Sequence, residues 1–315
     1  MSKKYLNSEK HRNEHSKWDR RGFMKVLGLA GAGSISLGNT NLSVLNSNFI
    51  TNALSDSISD RVLVLVRLKG GNDGLNTIIP LSQYDTYVSK RPTIHIPNNK
   101  IIKLDDNHGI PDYMSNLMPF WNDGKMKIIN GVGYENQNLS HFTSSDYWAT
   151  GSTNKNDMIS TGWLGRYYDE KYLDYLTNPT EKPLAIQIGS RGNLIFNGAS
   201  TAYAFAVSSP ERLKKVAENG TLFDTSNLPN CTHGDQLEFL RRISNATFSY
   251  ASVIHEAYNN SEDFNQYDSK NNLDKQLSLV SRLIKGNLGT KIYMVSLGGF
   301  DTHGNQPGRH QKLLN

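Results

Sequence analysis

Residues 62–66 form an unbroken run of valine and leucine, and the chain turns polar and glycine-rich within a few residues. An aliphatic run of this kind predicts a strand covered on both faces, as in a parallel sheet flanked by helices. Gly70 and Gly71 end the segment, and Asn72 and Asp73 follow. Two glycines allow a sharp turn and a close backbone approach. We therefore expect both polar side chains at the carboxyl edge of the sheet, where α/β proteins bind ligands.

Residues 291–306 repeat this order near the other end of the chain. A second aliphatic strand is followed by a double glycine, and then by Asp301 and His303. If the two strands lie parallel in one sheet, Asp73, Asp301 and His303 converge at one edge. Two carboxylates and an imidazole can bind a divalent metal ion. The alternative is that each segment is an ordinary strand-to-loop turn.

The rest of the chain alternates between strand and helix patterns. Short apolar runs bounded by glycine or polar residues predict strands, and apolar residues at helical spacing predict helices. The further predicted strands are 126–130, 184–188 and 202–207, and the predicted helices are 114–121, 211–218, 236–258 and 273–285. We therefore predict an α/β fold with a mostly parallel central sheet flanked by helices.

A hydroxyl-rich segment, NLSHFT, follows the predicted strand 126–130 and precedes a short helical segment. This order places Ser140 near a helix N-terminus, where free amide groups and the helix dipole stabilise an anion. A serine in that position can act as a nucleophile on a phosphate or sulfate ester. The alternative is that Ser140 is an ordinary helix N-cap, because serine is common at helix starts.

The formal charge of +5 is concentrated at the N-terminus. Residues 1–53 carry eight of the 34 Lys and Arg residues and three of the 29 Asp and Glu residues, which leaves 26 of each sign in the remainder. A neutral remainder lacks the electrostatic surface of a nucleic-acid partner. The single Cys231 excludes an internal disulfide.

The N-terminal segment DRRGFMK, with Arg20 and Arg21, precedes a glycine-rich apolar run over residues 26–37. It resembles a bacterial twin-arginine export signal, and the run is too short for a spanning helix. We therefore expect a signal peptide over residues 1–53, export by the twin-arginine translocase to the periplasm or the exterior, and no stable membrane span.

Five segments together resemble one bacterial family. They are the twin-arginine segment, LKGGNDGLNTIIP, INGVGYENQNLSHFTSSDYW, STGWLGRYYD and LGGFDTHGNQPGRHQKLL. They resemble the exported family called domain of unknown function 1501, in the alkaline phosphatase and sulfatase-like superfamily. The resemblance implies an alkaline phosphatase-like domain over residues 54–315, with two metal ions at the carboxyl edge of its sheet and a hydroxyl nucleophile between them.

The resemblance also implies particular residues. The nucleophile would be Ser140 or Thr143. Leu139 departs from the arginine that the family often has there, so an anion-clamping side chain is missing. The metal would be zinc, with manganese or calcium as alternatives. Its implied ligands are Asp73, Asp301, His303 and His310.

The expected function is that of an exported metal-dependent hydrolase acting on a small phosphate or sulfate ester. A non-catalytic exported binding or structural protein of the same fold is the alternative. The resembled proteins continue after the helix that begins near Pro307 with another strand and an Asp-His pair. This sequence contains no such pair. We therefore expect the fold to be incomplete at its C-terminus and the chain to be inactive alone.

Overall fold

The computed structural model describes residues 61–152, 159–189, 192–226, 228–230, 232–262, 267–268 and 270–315. The predicted signal peptide and Cys231 lie outside these ranges. The chain divides into two compact units. The large unit comprises the described residues of Met1–Leu65 and Ser145–Val295, and the small unit comprises Val66–Ser144 and Ser296–Asn315.

Strands and helices alternate along the chain. The strands are β1 (Leu63–Lys69), β2 (Ile79–Pro80), β3 (Ile101–Lys103), β4 (His108–Pro111), β5 (Ala185–Ile188), β6 (Ala204–Val207) and β7 (Ile292–Gly298). The α-helices are α1 (Gly74–Thr77), α2 (Tyr84–Lys90), α3 (Met118–Asn122), α4 (His141–Thr150), α5 (Trp163–Lys171), α6 (Pro210–Asn219), α7 (Thr232–Asn259), α8 (Asn272–Lys285) and α9 (Gln306–Leu314). Four 3₁₀ segments are Leu81–Gln83, Asn98–Lys100, Asp112–Leu117 and Leu194–Phe196.

A four-stranded sheet has the order β1-β7-β5-β6. Strand β5 is parallel to both β6 and β7. At the start of β1, the Leu63 N–H donates to Lys291 O, and beyond its end the Phe300 N–H donates to Lys69 O. These two hydrogen bonds show that β1 and β7 run in the same direction. The predicted α/β class with a mostly parallel sheet is therefore confirmed.

Strand β7 is covered on both faces, as its continuous apolar sequence predicts. Tyr293 and Val295 belong to one hydrophobic cluster, whereas Ile292 and Met294 belong to a second. The first cluster also contains side chains of α7 and α8, among them Ile254, Val280 and Leu283, and the second contains Leu164, Ile195 and Phe196. Alternating residues of one strand therefore join helices and loops on opposite sides of the sheet.

Strand β1 is less buried than its sequence predicts. It ends the strand order of the described sheet, and the side chains of Leu63 and Val66 are 37% and 44% exposed. Val64 packs against the first cluster and Leu65 against the second, so both faces of β1 are partly covered, although less completely than those of β7. An aliphatic run favours a strand but does not say whether that strand lies at the edge or in the centre.

The long helices agree with the predicted apolar periodicity. Helices α7 and α8 contain the predicted segments 236–258 and 273–285. The Asn271 side chain caps α8 by accepting hydrogen bonds from the N–H groups of Leu273 and Asp274. Segment 114–121 is divided between a 3₁₀ turn and α3, because Met114 has non-helical dihedral angles and Pro119 opens α3.

Residues 126–130 do not form the predicted strand. They run without regular structure, and both Ile129 and Val132 are 81% exposed. Strand propensity depends on a partner strand and on burial, and among the described residues no strand pairs with this segment and only Met126 and Ile128 of it are partly buried.

The small unit is built on a three-stranded antiparallel sheet of order β2-β4-β3. Ile79, Tyr87 and Ile96 form its buried apolar cluster. Both double-glycine loops, the first turn of α4 and helix α9 also belong to this unit. Across the described ranges, every helix is too short or too polar to cross a lipid bilayer.

Candidate functional site

The double glycine after β1 permits two close approaches within the small unit. Gly70 and Gly71 have φ angles of 110° and 81°, a region that favours glycine. A Cβ atom on Gly70 would lie 2.7 Å from the backbone nitrogen of Asp301, and one on Gly71 would overlap the His141 ring. These glycines therefore allow the loop after β7 and the first residue of α4 to lie against the loop after β1.

Asp301 is in contact with two imidazole rings. Its Oδ1 atom lies 2.8 Å from His303 Nε2 and 3.3 Å from His141 Nε2. The side chains of Asp301 and His141 are about half exposed, and that of His303 is 88% exposed. We call these three residues the Asp301 cluster. A carboxylate beside two imidazoles can fix their tautomers and stabilise a proton on either ring.

Asp73 lies in different surroundings, although it also follows a double glycine. Its Oδ1 atom accepts hydrogen bonds from Asn76 N–H, at 3.1 Å, and from Arg91 Nη1, at 2.8 Å. Its Oδ2 atom accepts a hydrogen bond from Gln306 Nε2. Partial burial raises the pKa of Asp73, but the hydrogen bond and positive charge of Arg91 and the bonds from Asn76 and Gln306 outweigh it, so the pKa is lowered.

Arg91 extends this arrangement into the interior of the small unit. Its Nη1 atom also donates to Asn76 Oδ1 at 2.8 Å, and Asn76 is fully buried. Tyr87 donates to the same Asn76 oxygen at 2.7 Å, and Asn76 Nδ2 donates to Ile94 O at 2.7 Å. We call Asp73, Asn76, Tyr87, Arg91 and Gln306 the Asp73 network. Its buried polar groups have partners, which makes the network a stabilising element of the unit.

His310 is almost completely buried beside this network, with 2% of its surface exposed. Its Nε2 atom lies 3.0 Å from Asn72 Oδ1, and its ring makes an edge contact with Phe300. Burial lowers the pKa of His310, although the charge of Asp73 acts in the opposite sense. The neutral ring therefore donates its Nε2–H to Asn72, which also pairs with Thr77.

The four implied metal ligands do not come together. Asp73 and His310 lie in and beside the Asp73 network, whereas Asp301 and His303 belong to the Asp301 cluster. Among the described residues, no group of three or more His, Cys, Asp or Glu side chains is arranged to hold a metal ion. Because Arg91 and Gln306 already occupy the Asp73 oxygens, the implied ligand set does not fit one metal ion in this arrangement.

Ser140 caps helix α4. Its Oγ atom accepts a hydrogen bond from Thr143 N–H at 3.4 Å, and its carbonyl oxygen accepts one from Ser144 N–H at 3.0 Å. These contacts agree with the N-cap alternative. A nucleophilic role for Ser140 or Thr143 stays a prediction. Sequence reasoning missed His141, and the available signal was its place directly after Ser140 in the NLSHFT segment.

A cavity of about 1010 Å³ opens on the surface of the small unit, and Asp73 and Arg91 lie in its lining. His108 also lines it. Both Asp105 carboxylate oxygens lie 3.0 Å from His108 Nδ1, and Asn130 Nδ2 lies 2.8 Å from His108 Nε2. A carboxylate accepts hydrogen bonds only, so Nδ1 carries the proton and Nε2 accepts from Asn130. From sequence alone, a lone His108 carries no such signal.

No protein-family model, curated protein or solved structure matches the chain. The fold and the site therefore define its class by themselves: an α/β protein with a mostly parallel four-stranded sheet and a carboxylate–histidine cluster after β7.

Proposed function

We propose, against the sequence-based expectation that the chain is inactive alone, that it is an exported, hydrolase-like α/β protein that cleaves phosphate or sulfate esters at the Asp301 cluster. The observation that carries the proposal is the contact of two imidazole Nε2 atoms with one carboxylate oxygen, Asp301 Oδ1, just after β7. The loops after parallel strands are where α/β proteins bind ligands. All three side chains are at least 46% exposed, so a small ester can reach them.

His303 is the proposed general base. When its Nε2–H donates to Asp301, its Nδ1 lone pair accepts a proton from an attacking water molecule. The water oxygen forms a bond to phosphorus or sulfur while the bond to the leaving ester oxygen breaks. The Asp301 carboxylate stabilises the imidazolium that results.

His141 is the proposed general acid. It contacts the same Asp301 oxygen from the first residue of α4, and in its protonated form it gives a proton to the leaving oxygen. The N-terminus of a helix stabilises negative charge, which develops on the ester oxygens during the reaction. Ser140 and Thr143, close to His141 in the chain, are the candidate nucleophiles if the reaction passes through a covalent ester instead.

The divalent metal ion that the family resemblance implies is a separate proposal, with zinc before manganese or calcium. No step above uses a metal ion, because the implied ligand set is divided between the Asp73 network and the Asp301 cluster. Mass spectrometry of the purified chain measures its metal content directly. A melting temperature that rises with added zinc in the intact chain but not in Asp301→Ala supports a metal at the Asp301 cluster.

Hydrolysis of p-nitrophenyl phosphate and p-nitrophenyl sulfate tests the reaction. Replacing a general acid or base lowers the rate by about 10²–10⁴-fold, and we expect that loss in His303→Gln and His141→Gln. The matched control is His255→Gln, which changes a histidine on α7 in the large unit. Unchanged turnover in both cluster variants would show that the Asp301 cluster is not catalytic.

Export is the second part of the proposal. Replacing Arg20 and Arg21 by lysine keeps the charge but removes the guanidinium pair, so precursor should accumulate in the cytoplasm. Normal export of that variant would contradict the twin-arginine prediction. Immunoblotting of periplasmic and cytoplasmic fractions separates the two outcomes.

A non-catalytic exported binding or structural protein of the same fold is the second candidate. The observation that favours it is the N-cap hydrogen bond of Ser140, which gives this hydroxyl a structural role. The same assay decides between the candidates. Equal, background-level hydrolysis by the intact chain and by every variant selects the binding protein.

A further inference from the structure

The lining of the small-unit cavity is rich in carboxamide groups. Ten of its 18 lining residues have polar side chains, and the charged pair among them, Asp73 and Arg91, is joined by a salt bridge of 2.8 Å. The lining therefore has little net charge when His108 is neutral. Its six carboxamides are Asn72, Gln83, Asn107, Asn130, Gln137 and Gln306.

Carboxamides and hydroxyl groups are complementary partners. Each carboxamide offers two donors and an acceptor, and each hydroxyl offers one donor and an acceptor. Within the described ranges, the side chains of Gln83, Asn107 and Gln137 are exposed and make no hydrogen bond to another protein group. Their hydrogen-bonding capacity is therefore directed to solvent or to a ligand.

His108 adds an oriented acceptor to this lining. Asp105 holds the proton on Nδ1, so Nε2 presents a lone pair that Asn130 Nδ2 now occupies. A ligand hydroxyl can replace the Asn130 donor without a change of tautomer. Asn130 is exposed, so its amide can turn to the ligand as well.

The charge of the lining argues against a free anion as the preferred ligand. Arg91 Nη1 already donates to both Asp73 and Asn76, and the Asp73 carboxylate would repel an anion beside it. The lining also has five apolar side chains, those of Leu75, Ile78, Pro80, Ile129 and Val132. Apolar contact and neutral hydrogen bonding together suit the C–H faces and hydroxyl groups of a sugar ring.

We propose that this cavity binds a neutral, hydroxyl-rich ligand of the carbohydrate class, held by the carboxamides and by His108 Nε2. This site is separate from the Asp301 cluster, and it requires no catalysis. It therefore holds equally for a hydrolase and for a binding protein.

Isothermal titration calorimetry of the full chain tests the proposal with D-glucose, cellobiose and inorganic phosphate as probes. We expect at least one of the two sugars to bind and phosphate to bind more weakly. Losing one neutral hydrogen bond weakens binding about fivefold, so Asn107→Leu and Gln137→Met should each show a loss of this size. Both residues are exposed, so these variants should keep the melting temperature of the parent.

Gln311→Met is the matched control, because Gln311 lies on α9 outside the cavity lining. This variant and Asp301→Asn should bind the sugar as the parent does. Retained sugar binding in Asp301→Asn separates this proposal from the hydrolase proposal. Failure of both sugars to bind, tighter binding of phosphate, or equal affinity in the parent and in both cavity variants would overturn the carbohydrate site.

Discussion

The Asp73 network and the Asp301 cluster begin from the same local sequence plan, in which a strand is followed by a double glycine and an aspartate. The Asp73 side chain is 11% exposed and paired with a permanently charged arginine, whereas that of Asp301 is 49% exposed and faces two histidines. A carboxylate with a fixed cation stabilises one structure. A carboxylate with titratable partners can respond to protons and ligands.

An aspartate that follows a double glycine therefore has no single predictable role. Its role depends on the side chain that contacts it from another part of the chain. Arg91 reaches Asp73 from the end of α2, and His141 reaches Asp301 from the start of α4. Substitution of the two aspartates should therefore lower the free energy of unfolding to very different extents.

Asp73→Ala should have the largest effect on stability. It leaves Arg91 partly buried without its carboxylate, removes the cap of α1 and frees Gln306. Breaking a buried pair of this kind costs about 3 kcal/mol in the free energy of unfolding. Urea unfolding of the parent and the variant, followed by tryptophan fluorescence, measures the loss.

Asp301→Ala is the matched comparison. Its contacts with His141 and His303 are half exposed or more, so we expect a loss of no more than about 0.5 kcal/mol. Similar losses of stability for Asp73→Ala and Asp301→Ala would contradict the distinction between a structural and a responsive carboxylate.

Gly71→Ala should have an intermediate effect and should connect the two regions. An alanine at φ 81° is strained by about 1–2 kcal/mol, and its Cβ displaces the His141 ring from the loop. Stability and hydrolysis should therefore fall together. Gly74→Ala is the control, because no atom lies within 4 Å of its Cβ position and its φ is not positive. If Gly74→Ala lowers hydrolysis as much as Gly71→Ala does, the His141 contact is not the cause.

The pH dependence of stability should have two stages. Burial lowers the pKa of His310, so the unfolded chain binds this proton more readily. Stability should fall as the pH drops below about 6.5, by no more than about 1.4 kcal/mol per pH unit. The lowered pKa of Asp73 adds stability that is complete above about pH 4 and is lost as the pH falls through its folded-state pKa.

His310→Gln separates these stages. It should remove the first stage and keep the second, and His303→Gln should keep both. Unfolding free energies measured from pH 7 downward through about pH 3 distinguish the variants, since both transitions begin in this range. An unchanged first stage in His310→Gln would assign it to a different group.

The sequence predicts the parts of the molecule that depend on local pattern. The aliphatic residues of β7, the apolar periodicity of α7 and α8 and the double glycines all carry local signals. Pairing between distant segments carries no local signal in the sequence. For this reason residues 126–130 look like a strand in sequence and lack a partner in the structure, and the bond between Asp73 and Gln306, 233 residues apart, could not be foreseen.

The contacts of the candidate site also divide into those that sequence spacing predicts and those that only the fold creates. Asp301 and His303 are close in the sequence, so their pairing could be expected from spacing. The contact of Asp301 with His141 spans 160 residues and depends on the space that Gly71 leaves open. The N-cap hydrogen bond of Ser140 depends on the folded backbone, and its nucleophilic role stays a prediction.

An anion in the cavity of the small unit would compete with Asp73 for Arg91. The Arg91 Nη1 atom is shared between Asp73 and Asn76, so an anion that enters the cavity must draw this guanidinium away from an internal carboxylate. The apparent affinity for an anion should therefore be the intrinsic affinity reduced by the strength of the Asp73–Arg91 pair. Protonation of Asp73 weakens that pair. A proton on Asp73 should therefore increase the affinity for an anion, and a bound anion should favour protonation of Asp73. Arg91 therefore becomes available to bind an anion only as the Asp73 carboxylate is protonated.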